Sequence, residues 1–228
     1  MLVNAWDVAS AQRVVAAGGR AVATSSAAVA ASLGLPDDST APIDMTFDAV
    51  QRIASSVDVP VSADLLDGYG LGADELVERL LAAGAIGCNI EDSDHGDLGR
   101  LLDAGLVAER IAGYRAAATR AGVDIVINAR IDGYLHHGFG PEVTTDVLAR
   151  AHRYFDAGAD CAYANRLADP VIATELAGQL GGPLNATVVR AADLTAMAAA
   201  GVSRISVGPR AYFAALDALD VFAAELLS

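Results

Sequence analysis

Along the chain, apolar positions change their period at regular intervals. Runs with apolar residues three and four apart, such as Ala73, Leu76, Val77, Leu80 and Leu81, or Val147, Leu148, Ala151, Tyr154 and Phe155, predict amphipathic helices. Between such runs lie short apolar segments that read as strands buried on both faces. Five times a helical run closes on Ala-Gly and a strand-like segment follows: AAGGRAVATSS at 16–26, AAGAIGCNIED at 82–92, RAGVDIVINAR at 120–130, DAGADCAYANR at 156–166 and AAGVSRISVGP at 199–209. In each copy the glycine suits the left-handed position just past a helix end, which makes the repeat the αβ joint of a βα unit. Leu2 to Asn4, Val59 to Ala63 and Leu184 to Val188 bring the strands to eight. Eight strands alternating with helices predict an α/β fold, a parallel eight-stranded (β/α)8 TIM-type barrel occupying residues 1–228 as one domain. A doubly wound open sheet would alternate in the same way, but no glycine-rich dinucleotide fingerprint follows the first strand.

Composition narrows the function classes. Of the charged residues, 29 are acidic and 15 basic, for a net charge of −14. A surface so acidic argues against nucleic acid and anionic membranes, which both select basic patches. Every base is arginine. The absence of lysine excludes a lysine Schiff base and any lysine acid or base. No apolar run is long enough to span a bilayer, and the N-terminus MLVNAWDVAS lacks a signal-peptide pattern, so a cytoplasmic location is expected. Cys88 and Cys161, in separate strand-like runs, are expected to be buried thiols.

Barrels of this class carry their chemistry at the carboxyl ends of the strands. Those ends here hold Asn4 to Asp7, Thr24 to Ser26, Asp64 with Asp67, Glu91 and Asp92, Asn128 with Arg130 and Asp132, Asn165 and Arg166, Asn185 with Thr187, and Ser206 to Arg210. Strand interiors otherwise read as apolar. Asp64 and Glu91 end consecutive strands, and two close carboxylates either share a proton or share a cation. A hard ion such as Mg²⁺ or Mn²⁺ fits, because it needs only one or two carboxylates before substrate oxygens and water complete its shell. Either acid could instead cap the helix that follows it. Arg130 can clamp a carboxylate and stabilise an enolate, or it can form a structural ion pair with Glu91 or Asp132. Ser25 and Ser26 lead a strand into a helix whose first N–H groups suit an anion, and they can equally serve as caps. His95 follows Glu91 closely enough to act as an acid or base over the mouth, whereas His136 and His137 read as solvent-exposed.

Taken together, NAWDVASAQ, ATSSAAVAASLG followed by PDD, SADLLDGYG, GCNIEDS, INARID and GVSRISVG resemble the isocitrate lyase and phosphoenolpyruvate mutase superfamily, in particular its small phosphonomutase-like members. The resemblance covers nearly the whole chain and implies a Mg²⁺-dependent enzyme acting on a small 2-oxo or 2-hydroxy acid through an enolate. The bond cleaved would be C–C, as in the isocitrate, methylisocitrate and dimethylmalate lyases, or P–C, as in the mutase and phosphonopyruvate hydrolase. It assigns Asp64 to the metal, Glu91 to metal-bound water and Arg130 to the substrate. It also places Trp6, Ser25, Ser26 and Ala27 around the oxo-acid end and Asp37 on the loop after the second strand. Asn165 and Asn185 complete the expected substrate contacts.

The chain also departs from that pattern. Leu66 stands where relatives carry a second acid, leaving Asp67 as the available substitute ligand, and the loop SDHGDLGR has neither the lysine nor the cysteine of the relatives. His95, with Asp94 or Asp97, would then supply the acid and base. A metal-free enzyme for a less anionic substrate, favoured by the Leu65-Leu66 pair, and a barrel that only binds a small acid are the alternatives. The chain starts almost on its first strand and ends with its last helix, so surfaces that the resemblance expects to be covered point to a longer chain or a partner subunit. Phe213, Leu216, Leu219 and Phe222 on that helix form an apolar face that needs burial against the barrel or in a homo-oligomer.

Overall fold

In a computed structural model describing residues 1–38, 40–97 and 99–228, the chain forms a parallel barrel ringed by helices. Leu98, in the SDHGDLGR loop, lies outside the described residues. The strands are β1 Val3–Ala5, β2 Val22–Thr24, β3 Val61–Asp64, β4 Gly87–Glu91, β5 Val126–Ile131, β6 Cys161–Ala164, β7 Leu184–Thr187 and β8 Arg204–Ser206. They pair in sequence order from β1 to β8, and a parallel bridge between Leu2 and Ser206 joins the first edge to the last. The helices are α1 Val8–Ala16, α2 Ser26–Leu33, α3 Ile43–Ala54, α4 Ala73–Ala82, α5 Ala104–Arg120, α6 Gly133–His137, α7 Pro141–Asp156, α8 Pro170–Leu180, α9 Leu194–Ala199 and α10 Arg210–Leu227. At all five Ala-Gly joints the glycine has positive φ, from 69° at Gly122 to 101° at Gly158, a conformation that side-chain-bearing residues adopt only under strain.

The core sits between sheet and helices. Ala63, Cys88, Ile90, Ile127, Ala129, Ala162, Leu184 and Ile205 point outward from their strands into one buried cluster with Ile53, Leu76, Leu80, Ile111, Tyr114 and Tyr154 of the helices. Both cysteines are buried and unpaired.

Inside the barrel the expectation of apolar strand interiors fails. Side chains alternate across a strand, so the residues two positions before each strand-end polar group face the lumen. Those residues are Ser62, Asn89, Asn128, Asn185 and Arg204, all lining one central cavity. The strands are therefore apolar on one face only, and the lumen is a polar chamber.

The last helix also departs from expectation. At its start the Tyr212 ring meets Trp6 edge-on at 5.3 Å, but no residue of α10 is buried. Phe213, Leu219 and Phe222 are each more than half exposed. Its apolar face is thus not covered by this chain's own barrel. No described helix is long and apolar enough to cross a membrane.

Candidate active site

Asp64 ends β3 at the rim of a cavity of about 410 Å³ that runs from the strand ends into the barrel. Its position is fixed by neighbours on both sides. Oδ1 accepts from Asn89 Nδ2 at 2.9 Å, Oδ2 accepts from the Ser26 backbone N–H at 3.0 Å, and its own N–H donates to Thr24 Oγ1 at 2.8 Å. Asn89 is held in turn by Asn128, whose Nδ2 donates to Asn89 Oδ1 at 2.6 Å. Four consecutive strands, β2 to β5, thereby place one carboxylate, still half-buried and facing the cavity.

Arg130 anchors a second cluster. Its Nε donates to Asp132 Oδ1 at 2.8 Å, and its Nη1 lies 2.6 Å from Glu91 Oε2, off the line of the N–H bond, so that Glu91 has a charge partner there without a hydrogen bond. Glu91 Oε1 meets His95 Nε2 at 2.9 Å. Asp132 also accepts from Asn165 Nδ2 at 2.7 Å and from the Ser93 hydroxyl, which in turn contacts His136 Nε2 at 2.8 Å. His136 is thus half-buried in a hydrogen-bond chain and not free in solvent as its glycine-rich surroundings imply, whereas His137 is exposed.

Burial pushes the Glu91 carboxyl up to about 7, against the pull of Arg130 and His95. The hydrogen bond to Glu91 raises the His95 imidazole above its ordinary value, with burial opposing. For Asp132 burial acts upward, but Arg130, Ser93 and Asn165 prevail and hold it below the usual carboxylate range. Glu91 and His95 therefore compose a pair able to keep or release a proton near neutrality, beside an arginine that stays charged.

The cavity brings together Ser25, Ser26, Ala27, Asp37, Asp64, Arg130, Asn165 and Asn185 among the residues singled out in the sequence. Glu91 and His95 sit behind Arg130 rather than on the cavity wall. Two residues lie elsewhere. Asp67 accepts from Arg110 at 3.2 Å and from the Tyr69 N–H at 3.1 Å, which turns its carboxylate to the α4–α5 side and away from Asp64. Trp6 packs on Tyr212 and borders an outer groove with Met45 and Arg52, outside the central cavity. Leu65 and Leu66 are both buried and neither lines the cavity, so the mouth is not apolar there. Leu66 has φ of 50°, the left-handed conformation, and its carbonyl accepts the Glu91 N–H at 2.8 Å.

The sequence reading passed over Asn89, Ser62, Tyr163 and Arg204. Their signal was a second polar residue two places before each strand end, visible as alternation in GCNIE and SRIS.

Among the described residues no three His, Cys, Asp or Glu side chains form a metal cage. Mg²⁺ does not need one, since it keeps waters and takes substrate oxygens beside one or two carboxylates. The donor set therefore fits a single direct ligand, Asp64, while Glu91 belongs to the neighbouring Arg130 cluster.

A family model described as phosphoenolpyruvate phosphomutase matches residues 1–227. The chain belongs to the phosphoenolpyruvate phosphomutase family. Family members named as lyases and mutases surround it, and it is an enzyme of that type. An uncharacterised protein of Mycobacterium tuberculosis H37Rv is 33% identical over 218 residues, covering 96% of this chain and 81% of its own. A protein named as a probable 2-methylisocitrate lyase of Corynebacterium glutamicum is 31% identical over 73% of this chain and 55% of its own. Among solved structures, a phosphonomutase-like protein of Burkholderia cenocepacia J2315 superposes with a TM-score of 0.92 at 38% identity, over 98% of this chain and 92% of its own. Phosphonopyruvate hydrolase in complex with oxalate and Mg²⁺ superposes with a TM-score of 0.82 at 25% identity, over 98% and 80%.

Proposed function

We propose that the protein is a Mg²⁺-dependent lyase that cleaves a C–C bond in a small 2-oxo or 2-hydroxy dicarboxylic acid and leaves an enolate. The observation that carries this reading is the cavity lining. In a chain of net charge −14, the central cavity presents Arg130, Arg166, Arg204 and Arg210 against only Asp37 and Asp64. Of these arginines only Arg130 has a carboxylate partner among the described residues. A cavity of this sign gathers anions against the field of the whole molecule. The buried leucines at 65 and 66 remove the feature that favoured a less anionic substrate.

Asp64 would hold Mg²⁺, or Mn²⁺, with waters and substrate oxygens completing the shell, while Glu91 would act behind Arg130 as its charge partner. Such an ion supplies a Lewis acid that lowers the energy of an enolate oxygen. The remaining work falls to the protein. Arg130, fixed through Nε by Asp132 and through Nη1 by Glu91, keeps Nη2 for a substrate carboxylate. The Ala27 N–H, in the first turn of α2, has no helical acceptor and points an orphan donor at the same region. As the C–C bond breaks, its electron pair passes into the enolate beside Arg130, and the enolate carbon would take its proton from water in the cavity, with the Glu91–His95 pair as a proton reserve behind the arginine. The same lining suits a phosphonate, whose extra charge the arginines would also accept, so P–C cleavage is the second reading.

The exposed apolar face of α10, continuous with the cavity rim through Phe213, supports a homo-oligomer in which a second copy covers that face. The protein would work in the cytoplasm on a small-molecule carboxylate, without nucleic acid or membrane partners.

Turnover of oxaloacetate, alkylmalates and phosphonopyruvate with Mg²⁺ tests the reading. One of them should be consumed, with kcat lowered by at least about 100-fold in Asp64→Asn at unchanged thermal stability. Full activity in that variant would refute the assignment.

A further inference from the structure

Deep in the barrel, below the strand-end site, lies a group of polar atoms that the reaction above does not use. Asn185 is completely buried, and neither its Oδ1 nor its Nδ2 has a hydrogen-bond partner. Asn128, 1% exposed, uses Nδ2 on Asn89 but leaves Oδ1 unpaired. Arg204 reaches across the lumen from β8 towards β3. Its Nη2 makes one long contact of 3.4 Å to the Ser62 hydroxyl, and its buried Nε has no partner. All four side chains line the same cavity as Asp64 and Arg130.

Buried polar groups are almost always satisfied, and a buried guanidinium without a carboxylate is rarer still. Among the described residues the other deeply placed arginines are paired: Arg130 with Glu91 and Asp132, Arg150 with Asp92, and Arg115 with the Asp160 carboxylate. Among the described residues Arg204 is therefore the deeply placed arginine left without a carboxylate, in a chamber with room for a ligand. Burial lowers the proton affinity of this arginine, and the more distant acidic groups, Asp64 among them, do not make up for the loss of water.

We infer that Arg204, with Asn185 and Ser62, forms an anion subsite inside the barrel that takes a carboxylate of the ligand beyond the one held at the strand ends. The guanidinium fork and the Asn185 Nδ2–H supply donors to the carboxylate oxygens. The unpaired Oδ1 atoms of Asn128 and Asn185 accept from a hydroxyl or a water next to it. That this anion is the second carboxylate of the substrate rests on the function proposed above; the subsite itself does not.

The test compares two 2-hydroxy acids that differ by one carboxylate, malate and lactate, by their effect on the thermal midpoint. In chelator, malate should stabilise the wild-type protein with half-saturation at least tenfold below that of lactate, and Arg204→Met should erase the difference. Arg204→Lys, which keeps the charge but loses the fork, should retain part of it and covers the case in which Arg204→Met fails to fold. Equal responses to malate and lactate in the wild type, or a preference that survives in Arg204→Met, would overturn the subsite. Mg²⁺-dependent oxalate binding measured alongside reports on the strand-end site separately. Its absence with the malate preference intact defeats the proposed function and leaves the subsite standing, and the reverse pattern defeats the subsite alone.

Discussion

Leu66 stands where the family pattern that the sequence resembles has a second acid, yet its backbone sits at φ 50° and its side chain is 3% exposed. A leucine in the left-handed region costs about 1–2 kcal/mol, which the burial of its side chain offsets. Restoring an acid would therefore not restore a ligand, because the side chain at this position leads away from the cavity. Leu66→Asp is expected to lower stability by about 2 kcal/mol or more without tightening Mg²⁺ binding, measured by urea unfolding and titration calorimetry. Tighter metal binding in that variant would show that the side chain at 66 can turn to the cavity. The sequence exposed the substitution plainly but could not tell which way the side chain points. Asp67 was illegible for the same reason: only the fold reveals that Arg110, 43 positions along the chain, captures it.

At the scale of elements, the eight strands and their alternation with helices could be read directly, because a change of hydrophobic period marks the joints and a helix-ending Ala-Gly marks five of them. What period alone missed was the lumen. Short strands of three to six residues offer too few alternations to distinguish a strand apolar on both faces from one apolar outside and polar within. The ends of β4 and β5 also carry a consequence for stability. Glu91 titrates at about 7 when folded against an ordinary 4.5, and His95 is raised above 6.5, so the folded state holds protons that the unfolded chain releases. Both shifts have the same sign: the stabilisation is present at mildly acidic pH and is lost as pH rises through the folded values. In chelator, the unfolding free energy should fall by on the order of 1–3 kcal/mol between about pH 5 and pH 8, and Glu91→Gln should flatten that slope. A wild-type stability that rises over this interval would contradict the proton-holding pair.

The whole molecule combines an acidic exterior with an arginine-lined interior and one helix whose apolar face finds no cover in its own chain. Sedimentation should therefore show a dimer or larger species, and Leu219→Asp with Phe222→Asp should dissociate it; a monomeric wild type would remove the reason for that face. The same contrast of charge bears on Asp64, which we propose organises a metal site on which an enolate can form. Oxalate resembles such an enolate, and its binding followed by titration calorimetry is the most direct measurement. Heat of binding is expected with Mg²⁺ or Mn²⁺ present, far less in chelator, and the metal-dependent signal should be lost in Asp64→Asn. Oxalate binding that is equal in chelator, or that survives intact in Asp64→Asn, would mean that the arginines alone hold the acid and that the metal has no part in the site.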